Sequence, residues 1–138
     1  MQTLIATAIL IFCMQLVGCN RSDTKLTFSA HSKLSIPKSA KLVQSGAQYA
    51  GFDASYGFVF EVSDDALQKQ LVKEWNLEPA EKAGGGFFRF AAHSWWPTDD
   101  KLAKMDPSFS RVDKQNEEYW LVWHDQSNGK LYAEHGRW

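Results

Sequence analysis

Apolar and other residues alternate most clearly over residues 55–62 of the chain. Every second position there carries a large apolar side chain, namely Tyr56, Phe58, Phe60 and Val62. A period of two residues is typical of a β-strand, because successive side chains of a strand point to opposite faces. We therefore predict a strand over Ser55–Val62, and we expect a shorter strand over Ala40–Gln44 before it.

The apolar period changes to four residues directly after this strand. Leu67, Leu71 and Trp75 then form one apolar stripe, which is typical of a helix that packs one face against a core. Acidic residues at the start of the segment offset the helix dipole, and Pro79 prevents the helix from continuing. The pattern predicts a helix from about Asp64 to Trp75.

Two shorter elements are predicted between this helix and the C-terminal part of the chain. Phe87–His93 carries apolar residues at alternate positions and predicts a strand, which follows a glycine-rich break at Ala83–Gly86. Thr98 and the two aspartates after it are typical of a helix start. We expect a short helix there that extends to Met105, because Asp106-Pro107 follows and stops it.

The end of the chain predicts a β-hairpin. Tyr119–Asp125 and Lys130–Arg137 are strand-like segments, and they flank Asn128-Gly129. An Asn-Gly pair between two such segments is the strongest short signal for a hairpin turn, because both residues tolerate a positive φ angle.

Two registers of this hairpin are open. A two-residue turn pairs Ser127 with Lys130, whereas a four-residue loop pairs Asp125 with Lys130. Since the registers differ by two residues, each side chain keeps its face in both. One face carries Tyr119, Leu121, Trp123, Tyr132 and Glu134, and the other carries Trp120, Val122, His124, Leu131, Ala133 and His135. Both faces are apolar near the centre, so the hairpin needs cover on both sides, or cover on one side and a binding partner on the other.

Together these elements predict a single small domain of the α+β class, with an antiparallel sheet, one main packing helix and the C-terminal β-hairpin. The domain is predicted to span residues 36–138, and Ile36-Pro37 is typical of an entry turn. Residues 19–35 are mostly polar from Asn20 onward, and they predict a flexible tether before the domain.

The N-terminal segment has the pattern of an export signal. Leu4–Leu16 carries no charged residue. The run is shorter than the roughly 20 apolar residues that a membrane-spanning helix needs, and it fits the apolar part of a signal peptide. We predict that residues 1–18 are a signal peptide. An ordinary secretory signal, which would leave Cys19 as a free thiol, is the alternative.

The four residues Leu16-Val17-Gly18-Cys19 resemble the lipobox of bacterial lipoproteins. In that family the peptide is cut before the cysteine, whose sulfur carries a diacylglycerol and whose new amine is acylated by a fatty acid such as palmitate. The resemblance implies that Cys19 is lipidated and holds the protein on a membrane. Asn20 rather than aspartate after the cysteine implies the outer membrane, with the domain facing the periplasm.

Charge and cysteine content exclude several classes of function. The chain carries 15 basic and 16 acidic residues, and they are interspersed, so no basic stripe is present for a nucleic acid. Cys13 leaves with the signal peptide, and Cys19 is the predicted lipid site. The mature domain therefore has no disulfide and no cysteine-ligated metal, and it relies on its core alone.

The sequence contains no recognisable catalytic constellation, so we expect neither an enzyme nor a cofactor. His93-Ser94 and His124-Asp125 resemble parts of a hydrolase site, but adjacent residues of a strand point to opposite faces. His124 and His135 share one face of the hairpin and are the candidate metal ligands. A third ligand is not evident, so we predict no metal site. A small hydrolase built from His93, His124 or His135 remains an alternative.

Trp95-Trp96-Pro97 is the most plausible functional motif, and with Trp138 it forms the candidate binding surface. The other interpretation is that both adjacent rings cover the edges of the core. The pattern from Ile36-Pro37 to YWLVWHDQSNGKLY at 119–132 resembles small uncharacterised bacterial envelope proteins, a resemblance that implies no activity and no site residue.

We therefore expect a lipid-anchored, non-enzymatic protein-interaction module with a partner in the cell envelope. Two alternatives stay open. One is a domain that binds glycans or cell-wall fragments through exposed tryptophans. The other is an immunity or inhibitor lipoprotein that caps a toxin or a lysozyme-like enzyme.

Overall fold

The structure of the chain is a computed structural model, and it describes residues 24–80 and 93–138. Within these ranges the chain forms three helices and six strands. The helices are α1 (Thr24–Ser32), α2 (Ala66–Glu74) and α3 (Asp99–Leu102). The strands are β1 (Ala40–Ala50), β2 (Asp53–Val62), β3 (Glu78–Pro79), β4 (Ser108–Asp113), β5 (Glu118–Asp125) and β6 (Lys130–Arg137).

The six strands form one antiparallel sheet in the order β1-β2-β6-β5-β4-β3. This confirms the predicted α+β class with its antiparallel sheet. The C-terminal strand β6 lies in the middle, where it pairs with β2 from Ala54↔Arg137 to Glu61↔Lys130 and with β5 on its other side. The predicted hairpin therefore joins the two halves of the sheet.

The β5–β6 hairpin has the register of the four-residue loop, because Asp125 pairs with Lys130. The Asp125 carboxylate selects this loop: it accepts hydrogen bonds from Ser127 Oγ at 2.6 Å and from Asn128 Nδ2 at 2.7 Å. Gly129 takes the positive φ of 60° that the turn requires.

Both faces of the hairpin are covered by the chain itself. We call the face that carries Val122 and Leu131 the first face and the face that carries Tyr119 and Trp123 the second face. Helices α1 and α2 cover the first face, where the larger apolar cluster includes Phe28, Phe58, Phe60, Leu67, Leu71, Val122 and Leu131. The segment that contains α3 contributes to the cover of the second face, where the cluster comprises Val59, Trp96, Leu102, Tyr119, Leu121, Trp123 and Tyr132. The faces are those that the hairpin pattern predicts.

Helix α2 confirms the four-residue stripe, since Leu67, Leu71 and Trp75 are all buried. The helix begins at Ala66 rather than at Asp64, because Asp64 Oδ1 accepts a hydrogen bond from the Ala66 amide at 2.9 Å. An aspartate that bonds the amide two residues ahead stabilises a turn before the helix rather than its first helical residue.

The largest difference from the sequence prediction is at residues 24–35, where a tether was expected. Thr24–Ser32 forms helix α1, and Phe28 is completely buried, with its ring edge-on to Phe58 at 5.1 Å and to Phe60 at 4.9 Å. Composition alone indicated a polar linker, but one aromatic anchor docks this polar helix on the sheet. Residues 19–23 lie outside the described ranges.

Strand β1 is also longer than predicted, since it continues from Gln44 to Ala50. It does so because β2 begins at Asp53 and the pairing of the two strands extends to Ala50↔Asp53 across a tight turn. A bulge between Leu42 and Gln44 shifts the register, which disrupts the alternation from which a longer strand would be recognised.

Several sequence predictions fall outside the described residues. These are the signal peptide over 1–18, the lipid site Cys19, the glycine-rich break at 83–86 and all but the last residue of the strand over 87–93. Thr98 precedes α3 as expected, although the helix ends at Leu102 rather than at Met105. No helix within residues 24–80 and 93–138 has the length and apolar character that a bilayer crossing requires.

Candidate functional site

Trp96 is largely buried in the core. Its side chain is 7% exposed, and its ring is edge-on to Trp123 at 6.1 Å and to Tyr132 at 5.8 Å. The Trp96 amide donates to the His93 carbonyl oxygen at 3.0 Å, and this turn directs the ring inward. Trp96 is thus mostly enclosed in the core, and only part of it borders the groove described below.

Trp95 is half-buried, and it stacks on His93 with 5.0 Å between the ring centroids. Gly46 of β1 lies directly beneath the ring, since a Cβ at that position would stand 2.9 Å from Trp95 Cζ2. The glycine thus makes room for the indole on the sheet. Part of the Trp95 ring stays exposed and borders a groove.

Trp138 lies away from this pair. It follows the last residue of β6, stacks on Tyr119 at 6.2 Å, and donates its amide to the Glu117 carbonyl oxygen at 3.1 Å. The groove that Trp95 borders lies beside the β5–β6 turn, which is at the opposite end of β6. The three tryptophans of the predicted surface are thus not brought together, and only Trp95 combines exposure with a concave site.

The groove lies between α3 and the β5–β6 turn, and we call it the turn groove. It is open and has a volume of about 870 Å³. Trp95, Trp96 and Tyr132 give it an aromatic lining on the second face of the sheet. Pro97 and Met105 add to the apolar lining, while the β5–β6 turn and the lysines on either side supply most of the polar lining.

The lysines of the turn groove are more available to a ligand than its aspartates are. Lys101, Lys104 and Lys130 line it, and none of the three forms an ion pair with a carboxylate of residues 24–80 or 93–138. Asp106 and Asp125 also line it. The hydrogen bonds of Asp125, first to Ser127 and then to Asn128, lower its pKa. The Asp125 carboxylate is thus engaged inside the turn, while the ammonium groups face solvent.

The two candidate metal ligands are separated by the register of the hairpin. His124 pairs with Leu131, whereas His135 pairs with Trp120, so the two histidines are four positions apart and about 13 Å from each other. His124 Nδ1 lies 2.6 Å from Gln68 Oε1 of α2. Within the described ranges no three histidine, cysteine or acidic side chains converge as metal ligands would.

His135 instead contacts His31 of helix α1, which lies in the segment that was expected to be a tether. Its Nδ1 contacts His31 Nε2 of α1, and its ring stacks on Trp120 at 4.9 Å. Burial, together with the nearby His31 and Arg137, lowers the pKa of His135 to about 4. Burial also lowers the pKa of His31, so both rings are mostly neutral at pH 7, and their contact is a structural link between α1 and β6.

The most unusual ionisable group is Glu134. The hairpin pattern predicts that it shares a face with Tyr119, but the sequence does not identify it as a functional residue. The side chain is 1% exposed, and the Tyr119 hydroxyl donates to its Oε1 at 2.6 Å. The Tyr119 ring lies over Gly136, where a Cβ would overlap it. Burial raises the pKa of Glu134 to about 7, against the opposing effect of the tyrosine bond. The signal in the sequence was one acidic residue on an otherwise apolar strand face.

The histidines of the hydrolase alternative do not form one site. His93 lies against Trp95 and Gly46 on the second face, whereas His124 faces α2 and His135 faces α1 on the first. Ser94 is exposed, beside His93 in the chain. The geometry required of a nucleophile and its base is therefore not assembled from these residues.

The exposed aromatic residues are at the turn between β1 and β2, which sequence reasoning did not consider. Phe52 is fully exposed and Tyr49 is 68% exposed. Gly51 between them has a positive φ of 65°. We call Tyr49, Gly51 and Phe52 the hairpin tip. The chain from Leu42 to Phe52 contains no charged residue.

Neither any protein-family model nor any curated protein or solved structure matches this chain. The assignment of a site therefore depends on the geometry of the turn groove, the hairpin tip and the buried ionisable groups.

Proposed function

We propose that the chain is a lipid-anchored, non-enzymatic protein-interaction module on the periplasmic side of a bacterial outer membrane. The anchor is supported by the apolar run over Leu4–Leu16 and by the lipobox-like residues that end at Cys19. A diacylglycerol together with an amide-linked acyl chain gives stable attachment, whereas a single chain gives only marginal binding.

The single observation that carries the interaction role is the exposure of the hairpin tip. Phe52 is fully exposed, and the neighbouring Tyr49 is largely exposed. The other phenylalanines within the described ranges are buried or half-buried. Exposed aromatic side chains that protrude together are the residues that contribute most binding energy at protein interfaces.

The adjoining edge of the sheet supports the same role. Strand β1 spans Ala40–Ala50, and within the described ranges its outer edge pairs with no other strand. Its only charged residue is Lys41. Edge strands usually carry charges or prolines that prevent pairing with other chains. An edge of this length with a single charge near its start is suited to a partner that adds a strand.

The non-enzymatic part of the proposal is supported by the separation of the histidines. The residues that suggested a hydrolase lie on different faces of the sheet or against different helices. Glu134 has the pKa of a general acid or base, but it is enclosed in the second face and bonded to Tyr119. An inhibitor or immunity lipoprotein is one form of this proposal, in which the partner is a toxin or a lysozyme-like enzyme.

The proposal is tested by photo-crosslinking from the hairpin tip in the native envelope. A benzophenone amino acid replaces Phe52 in the full-length chain, and the matched control carries it at Lys114, an exposed residue of the β4–β5 turn. We expect one envelope protein to be captured from position 52 and not from position 114. The same products from both positions, or none from either in several growth conditions, would contradict the proposal.

A further inference from the structure

We infer that the turn groove is a binding site for an acidic saccharide, distinct from the hairpin tip on which the proposed function rests. The groove combines three properties that such a ligand requires: a suitable volume, a partly exposed aromatic ring, and cationic groups that form no ion pair with the residues that the structure describes. Each property is carried by different residues of the groove.

The first property is the size and shape of the groove. Its volume is about 870 Å³, and sites for small organic ligands range over about 300–1,000 Å³. The volume suits two or three sugar rings. The groove is open along one side, as is required for a ring system that continues beyond the site in a longer polymer.

The second property is the partly exposed indole of Trp95. Its ring is fixed by His93 on one side and by the edge contact with Trp96 at 6.0 Å. A fixed aromatic face loses little conformational entropy when a ligand binds. The C–H face of a sugar ring packs on such a surface, while its hydroxyl groups point outward. The turn supplies hydrogen-bonding partners for those hydroxyls through the exposed side chain of Gln126.

The third property is charge complementarity. Lys101, Lys104 and Lys130 line the groove without forming an ion pair within residues 24–80 and 93–138. Asp125 is engaged by Ser127 and Asn128 of its own turn, which leaves Asp106 as the less engaged acid of the lining. The balance favours a carboxylated ligand over a neutral one, although the whole chain has a net charge of −1.

The turn is preorganised for this role. The Asp125 carboxylate accepts a bond from Ser127 Oγ, from Asn128 Nδ2, and from the Asn128 amide at 3.3 Å. These bonds hold the turn before any ligand binds, so its ordering does not reduce the affinity. Lys130 begins strand β6 directly after the turn and is held by the same register.

The test is isothermal titration of the full-length chain in detergent with two disaccharides. The acidic probe is N-acetylglucosaminyl-N-acetylmuramic acid, and the neutral probe is N,N′-diacetylchitobiose. We expect saturable binding of the acidic probe with a Kd of about 0.1–1 mM. Binding of the neutral probe is expected to be about tenfold weaker, since each exposed ion pair contributes up to about 1 kcal/mol and three lysines line the groove.

The lysines are tested by the double variant Lys101→Gln/Lys104→Gln, with Lys73→Gln/Lys114→Gln as the matched control that removes the same charge elsewhere. We expect about tenfold weaker binding of the acidic probe in the first variant and no change in the second. Equal binding of the two probes, equal effects of the two variants, or no saturable binding of the acidic probe would overturn the inference.

A third arm distinguishes the ligand class and the two proposals. A short acidic peptide that binds in a lysine-dependent way, while the acidic disaccharide does not, would also overturn the saccharide assignment. Crosslinking from position 52 is expected to be unchanged in Lys101→Gln/Lys104→Gln. Failure of the groove therefore leaves the hairpin tip untouched, and failure of the tip leaves the groove untouched.

Discussion

Replacement of Glu134 by glutamine is expected to stabilise the protein at pH 8 and to destabilise it slightly at pH 5, where the carboxyl of the folded protein is protonated and the NH₂ group of glutamine lacks a partner. Glutamine keeps the size of the side chain and the carbonyl oxygen that accepts the Tyr119 hydroxyl bond. Unlike glutamate, glutamine cannot ionise at any pH. Glu134 is 1% exposed, so a negative charge there loses its hydration and depends on one hydroxyl for compensation.

The magnitude follows from the pKa. Burial raises the pKa of Glu134 from 4.5 to about 7, and each pH unit corresponds to about 1.4 kcal/mol. The folded state therefore binds more protons than the unfolded state between pH 4.5 and 7. The associated stability is complete below pH 4.5 and is lost as the pH rises through 7, with a total of about 3 kcal/mol. Because the glutamine NH₂ group also needs a partner, we expect a net gain of about 1–2 kcal/mol at pH 8.

His135 contributes a pH dependence of the opposite sign. Its pKa is lowered from 6.5 to about 4, so the folded state binds fewer protons than the unfolded state in that range. The resulting loss of stability begins as the pH falls below 6.5 and increases through 4. The two residues thus oppose each other between pH 4.5 and 6.5. In Glu134→Gln the effect of His135 is no longer opposed, and it has the same sign as the effects of His31 and His124, whose pKa values are also lowered by burial. Stability is therefore expected to rise with pH up to about 6.5 and then to level off.

The assay is urea unfolding followed by tryptophan fluorescence at pH 5, 6.5 and 8. Glu61→Gln is the control, because it is the same substitution at an exposed position of β2, and its effect is expected to stay within about 0.5 kcal/mol. An equal loss of stability in Glu134→Gln at all three pH values would refute the reasoning. That result would mean that the folded protein holds the carboxylate in its charged form.

Three further predictions concern the anchor and the packing. Cys19→Ser is expected to abolish metabolic labelling with palmitate and to leave the apolar N-terminus uncut, as mass spectrometry of the isolated chain would reveal; an unchanged mature mass would contradict the lipobox interpretation. Phe28→Ala removes the buried anchor of α1 and is expected to cost about 3–4 kcal/mol in urea unfolding, whereas a loss below 1 kcal/mol would show that α1 contributes little. Gly46→Ala places a Cβ 2.9 Å from Trp95 Cζ2 and is expected to cost about 1–3 kcal/mol with a changed tryptophan spectrum; an unaltered spectrum would argue against this contact.

The parts of the fold that the sequence predicted are those with a regular apolar period. The two-residue period over Tyr56–Val62 marks the face of β2 that carries Phe58 and Phe60, although Val59 is buried on the opposite face. The four-residue stripe of Leu67, Leu71 and Trp75 marks the buried face of α2. These periods identify β2 and α2 directly. The two faces of the β5–β6 hairpin were predictable for the same reason. The register of the hairpin was not predictable, because it depends on the hydrogen bonds of the Asp125 side chain within the turn.

The parts that the sequence could not predict depend on single residues and on tertiary contacts. Helix α1 is polar apart from a few positions, and only the crevice between Phe58 and Phe60 gives Phe28 a reason to be buried. Strand β1 has weak alternation, and it is extended by pairing with β2 rather than by its own propensity.

The residues of the candidate site were predictable only in part, because their burial also depends on tertiary contacts. The pair Trp95-Trp96 gave no indication of which ring is buried, because that depends on the turn set by the His93 carbonyl and on the space above Gly46. The hairpin pattern placed Glu134 on the same face as Tyr119. Its perturbed pKa arises from the cover of that face, which no local pattern encodes.

The docking of α1 also decides how the proposed anchor would orient the domain. Along α1 the chain passes from Phe28, against Phe58 and Phe60, to His31, against Tyr56. It thus runs toward the hairpin tip, and the N-terminal end of α1 points the other way. Five residue-to-residue steps separate Cys19 from Thr24 and span at most about 18 Å, far less than a tether of the whole 19–35 segment allows. A lipid at Cys19 would therefore hold the domain close to the bilayer with the β5–β6 turn on the near side and Phe52 on the far side, where a protein partner in the periplasm can reach it.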